Sequence, residues 1–280
     1  MAETQASGAA KWGDLGVRAL SAAVLIPAVL ADVWAGGIWF HLFVALLGIL
    51  MAQEWVTIVH RQNPVQFALH AAGAMCGALL PLDAGLAGGL IAIAVLWAAS
   101  AGLAAAEEPG GSAWRYLGVG YVSIPMIALV LLREDPDYGI AAIVWVMLMV
   151  WAADTLAYFA GRIIGGPKLA PRLSPKKTWA GLLGGMAGAA VVSTGYALYY
   201  LPNWVALALV AAALAVVAQL GDIFESALKR RYGVKDSGTL IPGHGGVLDR
   251  VDGLVTVGVV AAIIGFARHS NSLAEGLLLW

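Results

Sequence analysis

The sequence contains little charge for its length. Of its 280 residues, 12% are charged and 61% are hydrophobic, whereas a soluble globular chain has about 25% charged residues. This deficit excludes an ordinary soluble enzyme. The net charge of −1 also excludes nucleic acid as a partner, because neutralising its phosphates requires a surplus of lysine and arginine.

Cysteine is almost absent as well. Cys76 is the single cysteine, so an internal disulfide is excluded, and its Ala- and Gly-rich surroundings predict a packing role rather than redox chemistry. The chain also lacks the GxxxxGK[ST] spacing of a P-loop. Any nucleotide site must therefore be built in another way.

Long apolar runs follow one another along the whole chain. Runs of about 20 residues predict helices that span a bilayer, and they occur at about 17–35, 38–59, 64–82, 84–106, 116–132, 138–160, 179–201, 204–225 and 251–268. The sequence thus predicts an all-α, polytopic integral membrane protein with about nine transmembrane helices. We expect a single membrane domain over 1–280, with a polar N-terminal tail at 1–16 and a catalytic half at about 138–268.

Basic residues divide unequally between the two sides of such a bundle. With the N-terminus inside, 14 of the 16 lysines and arginines fall on the inner side, and Arg133 and Arg268 fall outside. The positive-inside rule therefore predicts a cytoplasmic N-terminus, and the odd helix count places the C-terminus on the opposite side. We expect the bacterial cytoplasmic (inner) membrane.

Two connections, 161–178 and 226–250, hold ten of those inner charges, and both are rich in glycine. Basic residues concentrated in this way favour a polyanion site on the cytoplasmic face. Contact with the head groups of anionic lipids is the alternative. The first connection also ends directly before a helix, whose amino end favours anions.

Five acidic residues lie in or beside the same apolar segments. Asp154 is within the sixth segment, Asp222 and Glu225 are three residues apart at the end of the eighth, and Asp249 and Asp252 open the ninth. Nucleotide-phosphate chemistry with Mg²⁺ requires such groups, because carboxylate oxygens hold the cation while lysine and arginine absorb the remaining phosphate charge. Mutual pairing of these charges across a helix interface is the alternative. Their convergence on one face favours a site.

Long stretches of this region resemble a known family. Residues 226–252, SALKRRYGVKDSGTLIPGHGGVLDRVD, resemble the signature of phosphatidate cytidylyltransferases, also called CDP-diacylglycerol synthases. QLGDIFES before it and DTLAYFAGRIIGGPKLAPRLSPKKTWAG at 154–181 are similar to other typical stretches of that family, so the resemblance covers about 150–255. Toward the N-terminus only scattered features agree, such as Glu54-Trp55. Many family members have Glu where Ala180 stands, so the role of that Glu has no counterpart here.

The resemblance implies a reaction and its partners. Family members transfer the CMP portion of CTP to phosphatidate, which gives CDP-diacylglycerol and pyrophosphate and requires Mg²⁺. It also implies a homodimer, phosphatidate taken from the inner leaflet, and an active site on the cytoplasmic side. The sequence leaves open whether a monovalent cation joins Mg²⁺.

Residue roles follow from the same resemblance. Asp222 and Asp249 are expected as the first metal ligands, with Asp154 and Asp252 as further ligands or supports. The nucleotide is expected to bind the first basic connection, through Lys168, Ser174, Lys176, Lys177 and Thr178, with the two adjacent lysines on the triphosphate. The expected catalytic set comprises Asp222, Asp249, Lys229, Arg230, Lys235, His244 and Arg250.

The tasks within that catalytic set stay open at this stage. Its lysines and arginines would bind either the leaving pyrophosphate or the phosphatidate head group. His244 would donate to a phosphate oxygen, protonate the leaving group, or only hold its loop through hydrogen bonds.

Other functions fit parts of the sequence. A CTP-dependent lipid kinase would use the same charges but pass on the γ-phosphate. A secondary transporter would explain Asp154 inside a helix and the glycine-interrupted segments, although the charges gather at one face and not at mid-membrane. A structural scaffold would not require two basic, glycine-rich connections.

Overall fold

The computed structural model describes residues 20–280, apart from residues 202, 242 and 244 and the side chains of residues 82, 83 and 200. The predicted tail at 1–16 lies outside this range. Helices and one small sheet make up the described part of the chain. The helices are α1 Leu20–Ala35, α2 Gly37–Val59, α3 Pro64–Leu79, α4 Pro81–Glu107, α5 Trp114–Arg133, α6 Gly139–Ile163, α7 Trp179–Tyr200, α8 Trp204–Arg231, α9 Leu248–Arg268 and α10 Leu273–Leu278, and the strands are β1 Lys168–Ala170 and β2 Ser174–Thr178.

Among the described helices, 7 are long and apolar enough to cross a membrane. They are α2 and α4 to α9, which confirms the all-α, polytopic class. The predicted count of nine spans is not confirmed, because α1 and α3, which occupy the other two predicted segments, are shorter. The 16 residues of α3 extend only about 24 Å at 1.5 Å per residue, less than the roughly 30 Å of a bilayer core.

Asparagine and proline set where two of the helices begin. Asn63 Oδ1 accepts hydrogen bonds from Val65 N at 2.9 Å and Gln66 N at 3.1 Å, and Pro64 occupies the first turn of α3. Asn203 caps α8 in the same way. Because such caps satisfy amide groups that the helix itself leaves unpaired, α3 and α8 begin at the breaks between the predicted segments.

Glycines form the face of α7 that packs on α6. A Cβ atom at Gly184 would lie 3.0 Å from the carbonyl oxygen of Leu156, and one at Gly185 would lie 3.0 Å from that of Ala153. The two helices therefore touch through their backbones, as small residues allow in membrane bundles. This contact fixes Asp154, on α6, beside the residues that precede α7.

The first basic connection folds into a small antiparallel sheet, which the sequence analysis did not predict. Lys168 pairs with Thr178 and Ala170 with Ser174. Since successive strand residues point to opposite faces, Lys176 is exposed while Lys177 is partly buried. The sheet thus gives the two adjacent lysines different surroundings.

The buried core lies between α2, α3, α5, α6, α8 and α9. Trp55, Trp145, Met126 and Leu248 are among its largest fully buried side chains. The end of the bundle that carries the β1–β2 sheet and the N-terminus of α9 is called the sheet end below. The charged residues singled out from the sequence gather there.

Gly184→Ala tests the α6–α7 contact, since the added methyl group would overlap the side chain of Ala160. We expect a net loss of roughly 1–3 kcal/mol, the usual cost of overpacking, seen as a lower unfolding temperature in detergent. Gly195→Ala on the same helix is the matched control, because a Cβ there meets nothing within 4 Å. Gly195→Ala should keep or raise the unfolding temperature, because alanine favours the helix more than glycine does. Equal unfolding temperatures for the two variants would contradict the close α6–α7 contact.

Candidate active site

Three carboxylates from two helices converge at the sheet end. Asp222 and Glu225 lie one turn apart on α8, and Asp252 faces them from α9. One oxygen of each lies within 4.8 Å of the others. Carboxylates this close repel one another strongly unless a cation or protons neutralise them, and oxygen ligands at this spacing suit a hard divalent cation.

Two lysines pair with this carboxylate cluster (Asp222, Glu225 and Asp252). Lys177, from β2, forms an ion pair with Asp222. Lys229 Nζ lies 2.6 Å from Glu225 and 2.5 Å from Asp249. Lys229 therefore joins α8 to α9, and the structure places it inside a network of carboxylates.

Asp249 has different partners from the carboxylate cluster. Its Oδ2 accepts hydrogen bonds at 2.9 Å from Ser237 N and Gly246 N, while its Oδ1 accepts one from Lys229. These donors all belong to the protein, and they order the loop before α9. Asp249 therefore lies beside Glu225 through their shared lysine, while Glu225, which the metal and catalytic assignments left out, stands with Asp222 and Asp252 in the carboxylate cluster.

Glu54 of α2 also binds the loop before α9. Its side chain is 3% exposed, and it accepts hydrogen bonds from Val247 N and Leu248 N at 2.8 Å and from Ser237 Oγ at 2.9 Å. A carboxylate at this position satisfies the free amide groups at the N-terminus of α9 and complements its dipole.

Two glycines make room for the Glu54 side chain. A Cβ at Gly238 or at Gly246 would lie 2.6 Å from a carboxylate oxygen of Glu54. In the sequence, Glu54 stands out only as a feature shared with the family. The signal that could have found it is its charge inside an apolar segment, since such residues are costly and usually functional.

A polar cavity of about 390 Å³ opens between α6, α7, α8 and the β1–β2 sheet. It brings together predicted nucleotide-binding residues and predicted metal ligands, and its lining includes Asp154, Tyr158, Arg162, Lys176, Lys177, Thr178, Gln219 and Asp222. Thr178 is buried, and its Oγ1 accepts a hydrogen bond from Gly181 N at 3.0 Å, which caps α7. Basic side chains, a helix N-terminus and carboxylates thus surround one space, as a polyphosphate site requires.

An apolar groove of about 480 Å³ lies on the other side of Asp222, between α4, α5, α8 and α9. Gly221 and Phe224 line it from α8, on either side of Asp222 in the sequence. Thr256 lines it from α9 and donates a hydrogen bond to the carbonyl oxygen of Asp252 at 2.7 Å. The polar cavity therefore reaches the carboxylate cluster at Asp222, and the apolar groove approaches it through the neighbouring residues Gly221 and Phe224.

The remaining predicted residues lie around this centre. Arg250 lines a third cavity, of about 400 Å³, between α1, α2, α6 and α9, and acts electrostatically on Asp154. Arg230 is exposed and donates from Nε to Leu173 O at 3.4 Å. Lys168 and Lys235 are exposed as well.

Three positions from the sequence analysis remain: Ser174, His244 and Ala180. Ser174 is in β2, opposite Ala170, and does not line the polar cavity. His244 lies outside the described residues. Ala180, where many relatives have Glu, is the second residue of α7 and does not line the polar cavity either.

Comparisons with known proteins identify the family of the chain. The sequence matches the cytidylyltransferase family over residues 16–267. The phosphatidate cytidylyltransferase of Brucella abortus biovar 1 is 40% identical over 255 residues, which cover 90% of this chain and 93% of the relative. That of Pseudomonas aeruginosa is 37% identical over 261 residues, 88% of this chain and 96% of the relative. The chain belongs to the cytidylyltransferase family.

Proposed function

We infer that this protein is a phosphatidate cytidylyltransferase, which transfers the CMP portion of CTP to phosphatidate and gives CDP-diacylglycerol and pyrophosphate. The observation that carries the inference is that a basic polar cavity and an apolar groove are lined by neighbouring residues of α8, the helix that carries Asp222 and Glu225 of the carboxylate cluster. A reaction between a water-soluble nucleotide and a membrane lipid needs both kinds of surface at one centre. The relatives with this name cover most of the chain, which supports the same reaction.

CTP fits the polar cavity. Lys176 and Lys177 of β2 both line the space where the triphosphate would lie, and Thr178 places the amino end of α7 beside it. Lysine absorbs phosphate charge, and free amide groups at a helix start favour anions. Tyr158 offers an aromatic ring at the same cavity, which suits a nucleobase because every base presents a π-face.

Phosphatidate fits the apolar groove. The groove is lined almost entirely by carbon atoms and opens between helices that are long enough to span the membrane. Acyl chains can therefore remain in apolar surroundings while the head group reaches the carboxylate cluster.

The carboxylate cluster is suited to Mg²⁺. Asp222, Glu225 and Asp252 would hold the ion, which supplies charge neutralisation at phosphate oxygens. Glu225 Oε1 supports this role, because it is buried and has no hydrogen-bond partner among the described residues. Asp154 faces the same cavity from α6 and would act as a further ligand or as a support for Lys177.

The chemical step needs little from the protein besides positioning. A phosphate oxygen of phosphatidate attacks the α-phosphorus of CTP, and the bond from that phosphorus to the β-phosphate oxygen breaks as pyrophosphate leaves. A phosphomonoester has a second pKa of about 6, so its oxygen is already deprotonated at neutral pH and no strong general base is required. Lys177 and Lys176 would stabilise the charge that moves onto the pyrophosphate.

The same proposal includes the membrane setting. We expect the cytoplasmic membrane of a bacterium, with the sheet end on the cytoplasmic side, because that is where CTP is available and where the positive-inside rule puts the basic connections. We also expect a homodimer. Its interface would lie away from the glycines of α7, since these already pack on α6 within one chain.

Labelled CTP tests the reaction. Protein in detergent with phosphatidate and Mg²⁺ should move label from the α-phosphate, and not from the γ-phosphate, into lipid, and EDTA should abolish this transfer. Asp222→Asn should lower the rate about 10²-fold or more, as for a lost metal contact, whereas Asp137→Asn, an exposed control, should not. Label from the γ-phosphate in the lipid would indicate a kinase. If neither label entered the lipid, a secondary transporter would become the favoured function.

Asp249→Asn distinguishes a loop-ordering role from a metal ligand. Because its carboxylate accepts several hydrogen bonds from the protein, we expect a loss of roughly 1.5–3 kcal/mol of stability without a change in the Mg²⁺ concentration for half-maximal rate. Asp222→Asn should raise that Mg²⁺ requirement while leaving the unfolding temperature nearly unchanged. If Asp249→Asn also raised the Mg²⁺ concentration for half-maximal rate, Asp249 would be a metal ligand.

Lys176→Ala tests where the triphosphate lies. Its side chain is exposed to the polar cavity, so its loss should raise the KM for CTP several-fold more than the KM for lipid. Arg172→Ala, on the turn between the same strands but not in the cavity lining, is the control. A larger effect on the KM for lipid than on the KM for CTP would mean that the nucleotide does not bind in the polar cavity.

A further inference from the structure

Tyr121 of α5 stands where the apolar groove meets the carboxylate cluster, and no step above uses it. Its ring centroid lies 5.0 Å from that of Trp55 and 5.1 Å from that of Phe224, against which it stacks. Trp55 and Phe224, whose own centroids lie 6.5 Å apart, pack with it in one cluster of large rings that holds it in place. The direction of the hydroxyl group is therefore fixed by packing before any ligand arrives.

The hydroxyl group itself is buried and has no hydrogen-bond partner among the described residues. Leaving a buried donor unpaired costs free energy, and buried hydroxyls in native proteins nearly always have a partner. Such a group in a functional cavity indicates that its partner is absent until a ligand binds.

The surroundings of the hydroxyl define what that partner is. The carboxylates that act on it electrostatically are, in decreasing order, Asp252, Glu225 and Asp222, and the rest of its ring lines the apolar groove. Lys177 and Lys229 already pair with Asp222 and Glu225. The neutral Tyr121 donor is thus available at the point where an acidic head group would enter from the groove.

We propose that the Tyr121 hydroxyl donates a hydrogen bond to a phosphate oxygen of the lipid acceptor and so fixes that phosphate beside the carboxylate cluster. The inference rests on the proposed function, because it requires a phosphorylated lipid in the apolar groove. Tyrosine suits this place, since its ring contacts apolar atoms while its hydroxyl binds an anion at the boundary. A neutral donor also binds the phosphate without forming an ion pair with the neighbouring carboxylates.

Tyr121→Phe removes the hydroxyl and keeps the ring. We expect kcat/KM for phosphatidate, measured in mixed micelles, to fall about 10- to 100-fold, as for a lost hydrogen bond to a charged group, with the KM for CTP unchanged within about twofold. The unfolding temperature should stay equal or rise, because an unpaired buried group is removed. Tyr116→Phe, on another face of α5 and outside the groove lining, is the control and should behave like the unsubstituted protein.

The outcomes separate this inference from the proposed function. Tyr121→Phe with unchanged lipid kinetics would overturn the inference and leave the function intact. A raised KM for CTP with an unchanged KM for phosphatidate would overturn it too, because the donor would then serve the nucleotide. If the unsubstituted protein moved no α-phosphate label into lipid, the proposed function itself would fail, and this inference with it.

Discussion

The whole site depends on holding like charges together at the ends of apolar helices. Asp222, Glu225 and Asp252 lie within ligand distance of one another, and in apolar surroundings their repulsion would drive α8 and α9 apart. Lys229 prevents this, since one ammonium group contacts Glu225 on its own helix and Asp249 on the next. The same ion pairs that stabilise the helix interface therefore also set the geometry of the candidate metal site.

The predicted catalytic half does not build this site alone. Glu54 from α2 holds the first amide groups of α9, and the ring of Tyr121 from α5 packs on Phe224 of α8. Both contacts come from outside about 150–255, the part of the chain whose motifs carried the family resemblance in the sequence. The N-terminal helices thus determine how α9 begins and how the apolar groove ends, although most of the charged groups come from the other half.

Sequence patterns predicted the helices because length and hydropathy decide what can span a bilayer. They also predicted that Asp222 and Glu225 share a face, since residues three apart lie on the same side of a helix. They could not show that Asp249 binds its own loop, because the direction of a carboxylate there depends on backbone turns at Ser237 and Gly246. Glu54 was harder still, since 193 residues separate it from Val247.

Charge balance connects the metal to the substrate. The carboxylate cluster holds three acidic side chains, and Lys177 and Lys229 pair with two of them, Asp222 and Glu225. Uncompensated charge among apolar helices costs several kcal/mol per ion. A divalent cation bound to the cluster would offset the remaining negative charge, whereas a free polyphosphate would add to it. A polyphosphate that brings its own divalent cation avoids this repulsion, so we expect nucleotide and metal to arrive together.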